Sequence, residues 1–254
     1  MTTVVAIANR KGGVGKTATA HALGAGLIRR GYKVLFVDLD SQSNLTNALG
    51  IDSHEVEASS LDVLEGSSTA SEAILSTDQR GDLLPATPDL AKADKIIEGV
   101  GSEYRLREAL QTVARRYDYI IIDTPPALGV LTVNALTASH KVIIPAQADL
   151  YSLQGLEQLY GTIGAVKLFT NKKLKIEGVL LTRYVGRSII SKDMRENFET
   201  VAKEIDTKVF STPIREGVAV REAQATQTDL YTYAPKSNPA KDYEAFINEF
   251  LGGK

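Results

Sequence analysis

The sequence predicts a doubly wound α/β fold, a mostly parallel sheet flanked by helices on both faces. Three observations predict it. Short apolar runs alternate with stretches of helical composition along the chain, the pattern of βαβ units. A glycine-rich loop joins the first run to the first helical stretch, and aspartates close the second and fourth runs, where such sheets carry their ligands.

The elements follow in order. Val4-Val5-Ala6-Ile7-Ala8 is apolar and largely β-branched, giving a strand over about 3–9; Ala18 to Ile28 continues a helix over 16–30. Further strands are expected near 33–38, 82–86, 118–123, 140–146, 176–182 and 208–212, and further helices near 104–116, 130–138, 153–169, 192–205 and 238–251. Residues 52–80, rich in Ser, Glu, Asp and Thr, are the least patterned and read as surface helices and loops. No linker, repeat or low-complexity tract interrupts residues 1–254, so one domain is expected.

Composition excludes several classes. With no cysteine among 254 residues, disulfides, thiolate zinc sites and cysteine-held iron–sulfur clusters are impossible, and a reducing cytoplasm is the natural compartment. No run of 18 apolar residues occurs, and the first apolar run is too short for a signal peptide, which predicts a soluble chain. The formal net charge of −2 means that nucleic-acid affinity would require a local basic face.

Residues 10–17, Arg-Lys-Gly-Gly-Val-Gly-Lys-Thr, carry the chemistry. The ordinary P-loop pattern needs glycine where Arg10 stands, but Gly15, Lys16 and Thr17 fit, and K-G-G-V-G-K-T adds a second lysine. Gly12, Gly13 and Gly15 let consecutive N–H groups, that of Val14 among them, turn inward around phosphate oxygens. The helix starting near Lys16 and Thr17 adds its positive dipole end. Lys16 would meet the β- and γ-phosphates and the Thr17 hydroxyl a Mg²⁺ ion. Lys11 has no such task in its own loop, and as an unpaired ammonium it would reach a triphosphate held by a second subunit. Asp123 closes the apolar run Tyr119 to Ile122 and would hold the metal through water from the mouth of a buried strand.

With that loop, four further segments carry a resemblance: Val34 to Asn44 (VLFVDLDSQSN), Tyr119 to Pro126 (YIIIDTPP), Leu128 to Leu136 (LGVLTVNAL) and Gly178 to Tyr184 (GVLLTRY). Together they resemble the ParA/MinD family of deviant-Walker ATPases, nearest its Soj-like partitioning branch, over almost the whole chain. The resemblance implies a weak ATP hydrolase using ATP and Mg²⁺. Asp40 would orient the attacking water and Asp38 would stand near the metal shell. Arg183 and Pro213 would border the adenine, and Ala18 would face a phosphate through its backbone. Two departures are Ser41, where a proline often follows the second aspartate, and Ala18, where a second threonine often stands.

Arg183, Arg187, Lys192 and Arg195 give four cations against Asp193 alone over 183–195, and Arg215 and Arg221 resemble the family's other basic positions. Such a run also forms ordinary solvated helix faces; contact with DNA phosphates comes from the resemblance. The implied cycle is an ATP-state homodimer that binds double-stranded DNA nonspecifically, associates with the nucleoid in the cytoplasm, and is stimulated by a ParB-like centromere-binding protein.

The loop begins ten residues in, which leaves no room for the N-terminal helix-turn-helix domain of larger plasmid relatives. A MinD-like membrane switch is the main alternative, but Asp242, Glu244 and Glu249 in the last helical stretch would repel anionic headgroups, so no stable membrane association is expected. A P-loop metabolic ligase would reveal itself by a small acid that stimulates ATP turnover.

Overall fold

The computed structural model describes residues 2–77 and 81–253. In the first half, β1 (Thr3–Ile7), α1 (Lys16–Ile28) and β2 (Val34–Asp38) precede α2 (Asn44–Ala48), α3 (Ser60–Glu65) and α4 (Ala70–Ala73). Then come β3 (Leu75–Thr77), β4 (Gly81–Leu84), α5 (Ala93–Ile96), α6 (Arg105–Val113) and β5 (Tyr119–Asp123). The second half comprises α7 (Val130–Ala138), β6 (Lys141–Gln147), α8 (Leu150–Phe169), β7 (Lys175–Thr182), α9 (Ile189–Glu204), α10 (Ala219–Ala225), α11 (Leu230–Tyr233) and α12 (Asn238–Phe250).

The seven strands run in the order β3-β4-β2-β5-β1-β6-β7, all parallel except β3, which pairs antiparallel with β4. Strand side chains alternate between two cores. Val4 and Ala6 join one, with Leu35, Val37, Ile120 and Ile122, beneath α6, α7 and α8. Val5 and Ile7 join the other, with Phe36 and Ile121, beneath α1 and α12. Because both faces are covered, the strands read as continuous apolar runs.

Helix α1 lies between the sheet and α12 and is accordingly buried along most of its length, from Thr19 to Leu27. Its close approach depends on glycine: a Cβ at Gly24 would sit 2.1 Å from the Phe36 ring. Helix α12 buries Tyr243, Phe246, Ile247 and Phe250, so the terminal helix docks on the protein's own core.

Three expectations need correction. Within 52–80, where only surface helices and loops are expected, Leu75–Thr77 form the edge strand β3, antiparallel to β4. Residues 208–212 do not form a strand; a single parallel bridge joins Val209 to Val179. The segment touches β7 at separate points, Phe210 N–H to Val179 O (2.9 Å) and Ile214 N–H to Leu181 O (2.8 Å), with Pro213, which has no N–H, between them. Helices α8 and α9 each begin three residues earlier than expected, at Leu150 and Ile189, because Asp149 and Ser188 cap them through the amides of Ser152 and Ser191. The least-patterned segment holds α3 and α4, each opened by a capping box, Ser59 with Asp62 and Thr69 with Glu72, while its positions 78–80 lie outside the described residues.

Candidate functional site

The carboxyl ends of β1, β2, β5, β6 and β7 converge on the loop Arg10–Gly15. Val14 is fully buried and anchors it, and the ends of two other strands hold its carbonyls: Thr182 Oγ1 donates to Val14 O (2.8 Å) and Gln147 Nε2 to Gly13 O (3.0 Å). Asn9 supports its start, accepting from Lys11 N–H (3.0 Å) while its own amide donates to Pro145 O (2.6 Å). Gly13 and Gly15 lie in the left-handed region at φ 74° and 83°. Gly15 caps α1 without a side-chain acceptor, so the first-turn amides face the cleft as an anion cradle.

The two lysines occupy different places. Lys16 is 7% exposed, its Nζ lying 3.4 Å from Lys11 O. Burial lowers its ammonium from the ordinary value, against the opposing pull of the Asp123 and Asp40 carboxylates. Lys11 is not unpaired: its Nζ lies 2.7 Å from Asp149 Oδ2 and 3.4 Å from both Gln147 Oε1 and Ser152 Oγ. The same aspartate caps α8, which places a carboxylate beside the loop. Partial burial works against the Asp149 carboxylate, but Lys11 and the Ser152 amide hold it below the usual carboxylate range.

The two strand-ending aspartates divide the remaining work. Asp38 is fully engaged: Oδ1 accepts from Asp40 N–H (3.0 Å), and Oδ2 from Thr46 N–H (2.9 Å) and Thr46 Oγ1 (2.8 Å). Burial pushes its carboxyl up to about 6 despite those bonds. Asp123 is buried with no hydrogen-bond partner on either oxygen. Burial, reinforced by Asp38, pushes its carboxyl well above the usual range, and Thr17 and Lys16 pull the other way. A buried carboxylate left without a well-formed hydrogen bond, beside the Thr17 hydroxyl, offers the kind of oxygen ligands that a hard divalent cation takes. Asp40 lines the cleft, and its Oδ1 accepts from Gln42 N–H (3.1 Å).

A cleft of about 1160 Å³ opens from Gly12–Ala18 past Asp40 and Ser41 to Thr182, Arg183 and Ile214–Val218. Arg221 lines it too, whereas Pro213 does not; the wall is built by the residues after it. Gln224, Val220 and Tyr243 also line the cleft and carry no sequence motif.

The basic residues separate into two groups. Arg183, at φ 49°, pairs with Glu216 (2.8 Å); Arg195 pairs with Glu199 (2.9 Å) and donates to Ser211 O (3.2 Å); Arg215 pairs with Asp242 (2.6 Å). Arg187, Lys192 and Arg221 stand exposed.

The chain is similar to known proteins over almost its whole length. Residues 2–176 match the family described as the AAA domain. The chain is 42% identical over 242 residues to the sporulation initiation inhibitor protein Soj of Bacillus subtilis, covering 94% of each chain. It is 38% identical over 250 residues to the chromosome partitioning protein ParA of Myxococcus xanthus, covering 98% of this chain and 87% of that relative. Among solved structures, cobyrinic acid a,c-diamide synthase from Mycobacterium smegmatis with bound ATP analog and magnesium superposes with a TM-score of 0.86 at 38% identity, over 99% of this chain and 95% of that one. A strand–loop–helix cradle with two lysines, a mostly parallel sheet and whole-length similarity to Soj and ParA lead to one conclusion: this chain belongs to the ParA/MinD family of deviant-Walker ATPases.

Proposed function

We propose that this protein is an ATP-dependent partition ATPase that pairs in its ATP state, binds duplex DNA without sequence preference, and hydrolyses ATP slowly until a ParB-like partner stimulates it. The observation that carries the reading is the separation of the two loop lysines, Lys16 within the phosphate cradle and Lys11 at its rim.

The phosphates lie against the amides of Gly12–Ala18, with Lys16 beside them. Thr17 and Asp123 would hold Mg²⁺, which would supply positive charge to the phosphate oxygens, and Asp38 acts behind them by fixing Asp40 through its N–H. Asp40 positions water for attack; a carboxylate at neutral pH is a weak base, so turnover is slow. Residues 214–218 form the wall for base and ribose.

Pairing is supported by the rim. Leu150, Tyr151, Val185, Ile189, Ile190 and Val218 are each at least 49% exposed and lie near the carboxyl edge of the sheet, more apolar surface than a solvated rim needs. A second copy seated there covers these residues and brings its Lys11 to the facing triphosphate, exchanging Asp149 for a phosphate. Arg187, Lys192 and Arg221 supply the free cations for DNA phosphates, and pairing doubles their number.

A MinD-like membrane role is disfavoured because α12 spends its apolar residues on the core. Gel shift on random duplex DNA with ATP, with ADP and without nucleotide tests the coupling: retardation with ATP alone is expected, and equal retardation in all three rejects it. Cobyrinic acid, added to the ATPase assay, tests the ligase alternative; no stimulation is expected.

A further inference from the structure

Asp242, in the second turn of α12, is 5% exposed and is committed to one residue. It accepts Arg215 N–H on Oδ2 (2.9 Å), Arg215 Nε on Oδ2 (2.8 Å) and Oδ1 (3.2 Å), and Arg215 Nη2 on Oδ1 (2.6 Å). The guanidinium fork and the backbone amide are therefore held by the same carboxylate.

Arg215 sits in the middle of the cleft wall. On one side, Ile214 N–H donates to Leu181 O (2.8 Å); on the other, Glu216, Gly217 and Val218 face the cleft. The wall also lies directly on α12: a Cβ at Gly217 would fall 2.8 Å from Pro239 Cγ, which only glycine avoids. The next residue of α12, Tyr243, puts its hydroxyl 3.2 Å from Thr19 Oγ1 in α1. One helix thus braces both halves of the cleft, the cradle side through Tyr243 and the opposite wall through Asp242.

We infer that Asp242 is a positioning residue for nucleotide binding: by clamping Arg215 through main chain and side chain together, it fixes the 214–218 wall against which the base and ribose lie. The inference rests on the proposal that the cleft takes ATP with its phosphates in the loop. It also assigns Arg215 to the wall rather than to DNA. A buried carboxylate clamped at four points cannot release its partner without leaving an uncompensated charge.

The test compares ATP with inorganic tripolyphosphate, which engages the phosphate cradle but no wall. Fluorescent-ATP titration and tripolyphosphate competition on the parent protein come first; if tripolyphosphate does not displace ATP there, the nucleotide-site reading fails before the inference is reached. In Asp242→Asn, ATP affinity should fall roughly tenfold, the scale of one charge-assisted hydrogen bond. Tripolyphosphate affinity and kcat at saturating ATP should stay within about twofold of the parent, since the cradle is unchanged. The loss should not add to that of Arg215→Ala. Unchanged ATP affinity, equal losses for ATP and tripolyphosphate, or additive losses would overturn the inference. Arg215→Lys, which keeps the charge but not the fork, carries the same comparison should Asp242→Asn fail to fold, and is expected to show the same selective loss for ATP.

Discussion

The Lys11 ammonium and the Asp149 carboxylate lie 2.7 Å apart within one chain, 138 residues apart in sequence. The distinctive lysine is thus held in cis, and on the proposed pairing its arrival at a neighbouring triphosphate would exchange one anion for another.

Asp149→Asn removes the competing charge while an amide oxygen can still cap α8. The pair is partly exposed, at 28% and 34%, so its coupling is modest, ~0.2–1 kcal/mol. Each dimer gives up two such pairs, so self-association with nonhydrolysable triphosphate, measured by sedimentation, should tighten by roughly 2- to 30-fold over that range. Lys11→Ala should abolish it, and pairing as tight as the parent's would end the trans-lysine reading.

Asp123 is a stability liability that a metal would relieve. Burial raises Asp38 to about 6 and Asp123 well above the ordinary range, so the fold binds more protons than the unfolded chain. The stability these groups contribute is fully present below the ordinary carboxylate value of about 4 and is lost as pH rises through about 6 and above. The apparent Tm without metal should therefore fall between pH 5 and pH 8. Asp123→Asn should raise Tm at pH 8 by at least ~2–4 °C, the equivalent of 1 kcal/mol in a chain of this size, while Mg²⁺ with ADP stabilises the parent only. A variant less stable than its parent would contradict the unpaired-carboxylate account.

What the sequence made legible was whatever short-range pattern encodes. The loop Arg10–Thr17, the strand-ending Asp38 and Asp123 and the positions of most strands along the chain all rest on residues adjacent in sequence, whereas the order of the strands in the sheet comes from pairing across more than a hundred residues, as of Thr3 with Tyr119. Ser59 with Asp62 and Thr69 with Glu72 carried a capping-box signal at the right spacing, and it could have placed α3 and α4. The partners of Lys11 and Arg215 could not be read, because Asp149 and Asp242 reach them only through tertiary packing. The apolar run at 208–212 misled because Val209 and Phe210 serve the core beside β7 without a continuous ladder.

Thr46 is the hidden support of the aspartate pair. Its hydroxyl donates to Asp38 Oδ2 and accepts from Ala86 N–H at 2.9 Å, tying the segment after β2 to the end of β4. Thr46→Val leaves a buried carboxylate and a buried amide short of a partner, costing about 1–3 kcal/mol by denaturant unfolding. Because Asp38 in turn holds Asp40 N–H, kcat should fall with little change in ATP affinity, and Thr46→Ser should restore it. Equal kcat in the Val and Ser variants would remove Thr46 from the positioning chain.

DNA contact should follow which cations are free, not how many the sequence contains. Arg187 and Lys192 are exposed at the start of α9, whereas Arg195 is held by Glu199 and Ser211 O and Arg215 by Asp242. Each phosphate contact adds about one unit to the steepness of log K against log salt, and the dimer carries every residue twice, so Arg187→Ala and Lys192→Ala should each make the slope shallower by roughly two units for any duplex sequence. Arg195→Ala should reduce it less, since its charge is already partnered by a carboxylate. Arg215→Ala should leave the slope unchanged at saturating ATP, its effect appearing in nucleotide affinity instead. Equal slopes lost at all four positions would show that the ion pairs open on DNA and that the cis partners do not ration the charge.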